Sequence, residues 1–176
     1  MRLILFENKY RISSTRLSAW DYREAGYYFI TICVEGRYEC LSRIVNRRII
    51  LLPAGEIVKK EWMRTPILRK NILLDYYTIM PNHFHGIIII TDNSYTETSH
   101  RDVSTLLPNS IGSIIGQFKS ITTKQIRKNY LHTFSWQTRY YDHIIRSEKS
   151  LFAIREYIQY NHLKWEIDVE NPAYNT

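Results

Sequence analysis

Two runs of strand-forming residues meet at a turn that leaves the chain no option but to double back. Ile72 to Met80 reads Ile-Leu-Leu-Asp-Tyr-Tyr-Thr-Ile-Met, and His83 to Ile90 reads His-Phe-His-Gly-Ile-Ile-Ile-Ile, with Pro81-Asn82 between them. β-Branched and aromatic residues favour strands, and Pro-Asn is turn chemistry. So short a connection makes the pair antiparallel, because parallel neighbours need a long crossover. The run of four isoleucines, Ile87 to Ile90, implies a strand covered on both faces.

The rest of the chain supplies what such a hairpin packs on. Tyr27 to Val34 is aromatic and β-branched and reads as a first strand, closed by a Glu35-Gly36-Arg37 turn. Asn46 to Leu52 reads as a short edge strand. Pro53 opens a helix to about Thr65, with Ile57, Val58, Glu61 and Trp62 at helical spacing, and Pro66 is expected to end it. Ile111, Ile114, Ile115, Phe118, Ile121 and Ile126 predict an amphipathic helix whose other side carries Lys119, Lys124, Arg127 and Lys128. Arg139 to Arg146 reads as a last strand. Ser147-Glu148 starts a final helix to about Trp165, striped by Leu151, Ile154 and Ile158. Residues 1–26 read as a basic N-terminal arm and residues 92–109 as a flexible loop. The order β-α-β-β-α-β-α predicts an α+β fold: a central antiparallel sheet with helices packed on it, ferredoxin-like or RRM-like.

Length suits one domain, residues 1–176, and no repeat or second domain is evident. Lys and Arg total 24 against 17 Asp and Glu, a formal charge of +7, which favours polyanions, with nucleic acid first and an anionic membrane second. A soluble protein that happens to be basic has the same totals. The two cysteines, Cys33 and Cys40, make neither a disulfide framework nor a thiolate zinc site. The apolar stretch at Met1–Phe6 is too short for a signal peptide, and four isoleucines fall far below a membrane span. The expectation is a cytoplasmic protein with free thiols and no membrane partner.

His83-Phe84-His85 is where chemistry enters. Residues two apart on a strand share a face, so the two imidazoles point the same way, roughly 6–7 Å apart along the strand. That spacing suits one divalent metal, and equally suits two ordinary strand histidines, since a metal needs further ligands. The final helix offers some. Tyr157 and Asn161 are four apart and share a helix face beside the apolar stripe. If that stripe packs on the sheet, Asn161 offers an amide oxygen as a third ligand and Tyr157 a hydroxyl to a phosphate on the metal. With 14 tyrosines in the chain, composition does not select this one, and Tyr140 and Tyr141 are rivals. Two imidazoles and an amide oxygen suit Mg²⁺ or Mn²⁺, with zinc the alternative.

Residues 76–88, Tyr-Tyr-Thr-Ile-Met-Pro-Asn-His-Phe-His-Gly-Ile-Ile, resemble the strand-turn-strand of the HUH-type single-tyrosine transposases, and most closely the REP-associated and insertion-sequence branch. Gly26 to Thr31, Gln117-Phe118-Lys119-Ser120, Trp136-Gln137 with Tyr140 to Arg146, and Tyr157-Ile158-Gln159-Tyr160-Asn161 resemble further family segments in the same order, so that the likeness spans about residues 16 to 172. The resemblance implies His83 and His85 as metal ligands, Tyr157 on a catalytic C-terminal helix as nucleophile, and Asn161 as the polar residue completing the metal site. It implies cutting and rejoining of single-stranded DNA through a 5′-phosphotyrosine, with a hairpin or palindromic partner. Family members include homodimers that exchange the tyrosine helix about a hinge, here residues 146–150, and proteins that complete the site within one chain. His162 departs from the family pattern, where many relatives carry proline. A longer helix is then expected, with His162 a competing ligand.

For the nucleic-acid surface, Lys119, Lys124 and Arg127 lie on the polar side of their helix, and Arg139 and Arg146 flank a tyrosine-rich segment whose rings can stack on bases. Each is equally a solvated surface cation. A nickase or replication initiator of the same chemistry, and a non-catalytic single-stranded nucleic-acid binder, are the other functional readings.

Overall fold

The structure, a computed structural model, describes residues 21, 23–91, 110–167 and 171. The predicted arm lies outside the described residues except for 21 and 23–26, and the predicted loop 92–109 lies wholly outside them.

The elements run β1 (Gly26–Cys33), β2 (Ser42–Val45), β3 (Arg48–Leu51), α1 (Pro53–Leu68), β4 (Ile72–Ile79), β5 (His83–Ile90), α2 (Ile111–Asn129), β6 (Tyr141–Ile145) and α3 (Glu148–Tyr160), which runs on as a 3₁₀ segment over Asn161–Ile167. Four strands form one sheet in the order β4-β5-β1-β6, with every neighbouring pair antiparallel. That is the ferredoxin-like arrangement, with α1 and α2 as the two crossovers and α3 added on the far face. The isoleucine strand β5 is central and buried almost throughout, as its lack of alternation requires.

Alternation along β1 divides the core in two. Tyr28, Ile30 and Ile32 face one side with Phe84, Ile88 and Ile90, and there Val58 and Trp62 of α1 and Ile114, Ile115 and Phe118 of α2 close over them. Phe29 and Ile87 face the other side, covered by Ile154 and Ile158 of α3 together with Ile145. Gly86 makes the first layer fit. A Cβ there would stand 2.5 Å from Trp62 Cζ2 and 2.9 Å from the Phe84 ring, so only glycine lets the indole lie on the strand.

Three local expectations are corrected. Asn46–Leu52 is not one edge strand: Asn46 and Arg47 form a two-residue turn between β2 and β3, which pair with each other in a separate two-stranded sheet. Pro66 does not end α1, which continues to Leu68. A proline's own φ is helical and it forfeits one hydrogen bond, a loss that a last turn tolerates. The last α-helix stops at Tyr160 rather than near Trp165, and the helical path tightens into the 3₁₀ segment beyond it. Its start is as read, with Ser147 accepting from Ser150 N at 3.2 Å.

β4 carries one irregularity. Its register with β5 shifts between Leu74 and Tyr77, so Asp75 and Tyr76 together oppose Ile87. Both then meet α3. Arg155 donates from Nε and Nη2 to Asp75 Oδ2 at 2.8 and 2.6 Å, and its guanidinium lies 5.7 Å from the Tyr76 ring centroid. This contact and the apolar stripe fix where α3 sits.

Candidate active site

Strand pairing sets the floor of the site. Thr31 of β1 stands opposite His85 of β5 and Tyr141 of β6, so all three share the face that α3 covers. His83, two residues earlier on β5, shares it too, and the two imidazole centroids are 4.6 Å apart. Phe29 stacks on His85 at 5.4 Å and meets Tyr157 edge-on at 6.2 Å.

Each imidazole is oriented by a neighbour. Asn82 Nδ2 donates to the Arg37 carbonyl at 3.1 Å, which turns Asn82 Oδ1 toward His83. His83 Nδ1 therefore donates to that oxygen at 2.8 Å, and its Nε2 is left as the lone-pair nitrogen. Thr31 Oγ1 shares a hydrogen bond with His85 Nδ1 at 2.8 Å. With that nitrogen as donor, His85 Nε2 also keeps its lone pair. Burial holds both rings below the usual imidazole range. For His83 the repulsion that protonating it beside a protonated His85 would bring, and the nearby Arg37 charge, add to the effect, and His85 is pushed down to about 3. Both are neutral at physiological pH, the form that binds metal.

α3 brings the tyrosine. The Tyr157 hydroxyl lies 3.3 Å from His85 Nε2 within the same chain. Four residues beyond Tyr157 comes Asn161, and four beyond that Trp165, whose ring lies 5.9 Å from His83. Asn161 lies along the chain between these two contacts, at the junction of α3 and the 3₁₀ segment. Asn161 is buried, and its Oδ1 has no hydrogen-bond partner among the described residues; neither has His83 Nε2. Buried acceptors are rarely left so. The chemistry of this donor set, two neutral imidazoles and an amide oxygen, fits a hard or borderline divalent cation. Among the described residues no three His, Cys, Asp or Glu side chains converge on such a site.

The other sequence candidates are scattered. Of the rival tyrosines, Tyr141 packs with Phe29 on the site face and Tyr140 against the opposite core. His162 is half-buried, in the 3₁₀ segment next to Asn161. Lys119, Lys124 and Arg127 line a groove along α2 with Trp136, on the face of the sheet away from His83 and Tyr157. Lys119 Nζ donates to the Gln137 and Thr138 carbonyls, at 2.5 and 3.0 Å, and Arg127 Nε to the Phe134 carbonyl at 2.6 Å, while Lys124 is exposed. Arg139 and Arg146 are exposed on either side of β6. Sequence reasoning missed Thr31, Asn82 and Trp165. Asn82 was legible as the polar residue touching the first histidine, but its turn chemistry concealed that role. Thr31 is found only from the β1–β5 register.

No protein-family model matches the chain. An uncharacterized protein of Haemophilus influenzae is 41% identical over 163 residues, covering 88% of this chain and 90% of that one. Among solved structures, a REP-associated tyrosine transposase bound to a REP hairpin superposes with a TM-score of 0.59 at 18% identity, covering 87% of this chain and 74% of that one. The chain accordingly belongs to one family with the Haemophilus influenzae protein and has a transposase-like fold.

Proposed function

We propose that this protein is a metal-dependent DNA strand transferase of the single-tyrosine transposase type, with Tyr157 as nucleophile. The observation that carries the reading is the Tyr157 hydroxyl 3.3 Å from His85 Nε2, and it is supported by two buried acceptors without a hydrogen-bond partner among the described residues, His83 Nε2 and Asn161 Oδ1. His83, His85 and Asn161 would hold Mg²⁺ or Mn²⁺, which when bound supplies Lewis-acid polarisation of a scissile phosphate.

The side chains of this chain do the rest. Phe29 and the α3 stripe hold the Tyr157 ring in place, and Asn82 and Thr31 hold the imidazoles. The Tyr157 oxygen attacks phosphorus as the bond to the 3′ oxygen breaks. The phenol proton is lost to solvent and the departing 3′ oxygen takes one up. The product is a 5′-phosphotyrosine with a free 3′-hydroxyl, and attack by a 3′-hydroxyl on that ester reverses the step and rejoins DNA. Bond energy is kept in the ester, so no nucleotide cofactor is needed. The solved neighbour holds a REP hairpin, and we carry a hairpin-containing single strand over as the partner of this chain.

The test is adduct formation. Single-stranded oligonucleotides carrying palindromes from the chromosome around this gene are incubated with the protein and Mn²⁺, then resolved under denaturing conditions. A covalent product mapping to Tyr157 by mass spectrometry is expected, absent in Tyr157→Phe and lost with chelator. Cleavage that persists in Tyr157→Phe would end the proposal, and cleavage without rejoining would reduce it to nicking.

A further inference from the structure

The β2–β3 ribbon lies outside the central sheet and the proposed chemistry makes no use of it. Its register pairs Arg43 with Ile50 and Val45 with Arg48 on one face, and Ser42 with Leu51 and Ile44 with Ile49 on the other. The second face is turned inward. All four residues of the first are exposed, so two arginines and two aliphatic side chains share a solvent face.

The tip adds a third arginine, in an unfavourable place. Asn46 and Arg47 have φ of 49° and 61°, the left-handed pair of a type I′ turn. Asparagine tolerates that conformation, while the second position strongly favours glycine. An arginine there, facing solvent, is not explained by folding. Arg43, Arg47 and Arg48 form no ion pair among the described residues.

The ribbon's foot is tied to the candidate site. Leu41 N donates to the Pro81 carbonyl and Ser42 Oγ to the Ile79 carbonyl, both at 2.9 Å, so the ribbon rises from the turn that delivers His83. β3 also packs against the Asn161–Ile167 segment. The ribbon therefore rises from the end of the sheet where the turn delivers His83, whereas the α2 groove lies behind the sheet.

We infer that this arginine ribbon is a DNA contact, seated in the groove of a hairpin stem next to the strand that enters the site. A two-stranded ribbon fits the major groove of a duplex. Arg43, Arg47 and Arg48 reach backbone phosphates, and Val45 and Ile50 lie against the groove. The inference rests on the proposed function for its partner, and the two can fail separately.

The experiment measures binding of a fluorescein-labelled hairpin oligonucleotide with a single-stranded tail, and of an unstructured oligonucleotide of equal length, across a salt series. Tyr157→Phe is the background. Adding Arg43→Gln, Arg47→Gly and Arg48→Gln should weaken hairpin binding by about tenfold or more and flatten the log–log salt slope by about 2 to 3, at about 0.9 per lost phosphate contact. The unstructured strand should lose much less. Arg47→Gly alone should weaken binding while leaving thermal stability equal or higher, because Asn-Gly is the favoured I′ pair. Unchanged hairpin affinity and slope, or equal losses for both oligonucleotides, would overturn the inference. Ribbon-dependent binding with no Tyr157 adduct on the wild-type protein would leave the ribbon standing and remove the function, and the converse result would do the reverse.

Discussion

Asn82 joins two segments through one amide, accepting from His83 Nδ1 and donating to the Arg37 carbonyl. Partners of this kind, behind a metal-ligating histidine, are typically worth about 10–100-fold in metal affinity. Asn82→Ala should therefore weaken Mn²⁺ binding by about that factor in calorimetric titration, with Asn82→Asp closer to wild type because it still accepts. Equal affinity in Asn82→Ala would take His83 Nε2 out of the metal site. Gly86 has a purely structural role. Gly86→Ala drives a methyl into Trp62 and should cost about 1–3 kcal/mol, read as a lower urea midpoint at unchanged m-value. At this scale the sequence is most legible where side-chain type alone carries the chemistry. His83, His85, Tyr157 and Asn161 were all nameable from spacing and resemblance, and the structure brings the two imidazoles and the tyrosine hydroxyl within reach of one another. Thr31 and Gly86 were not nameable, because each acts through a neighbour that only the strand register or a helix packing on the sheet supplies.

Elements were legible where periodicity is strong and obscured where one residue breaks a rule. The β4–β5 hairpin, α2 and the start of α3 follow from pattern. The β2–β3 ribbon was concealed because its turn lacks glycine, and Pro66 overstated a helix end because its effect depends on how many turns follow. The β4 bulge leaves no signal in the sequence, yet it presents both Asp75 and Tyr76 to Arg155. Arg155→Ala removes that attachment of α3. A partly exposed pair of this kind contributes about 1 kcal/mol, so the melting temperature should drop by a few degrees. Adduct formation at Tyr157 should fall by more than the lost folded fraction accounts for. A wild-type adduct rate in Arg155→Ala would show that the apolar stripe alone positions the helix.

Across the whole molecule, the buried imidazoles couple folding to pH. Their folded-state pKa values lie below the ordinary 6.5, His85 near 3, so between those values the unfolded chain binds more protons than the folded one. In chelator, stability should be fully present above about pH 6.5 and fall as pH drops toward about 3. Urea midpoints for wild type and His85→Asn across that range test this, with the variant expected to show the shallower fall. Identical pH slopes would mean that His85 does not supply the effect. The layer arrangement has a second consequence, at α2. Lys119 and Arg127 hold the connection into β6 by gripping its carbonyls, so neutralising either one loosens an edge strand as well as removing a cation. Of the three basic residues of that helix that line the groove, Lys124 alone is a clean reporter: a change in affinity on its replacement can be attributed to the polyanion rather than to a displaced strand.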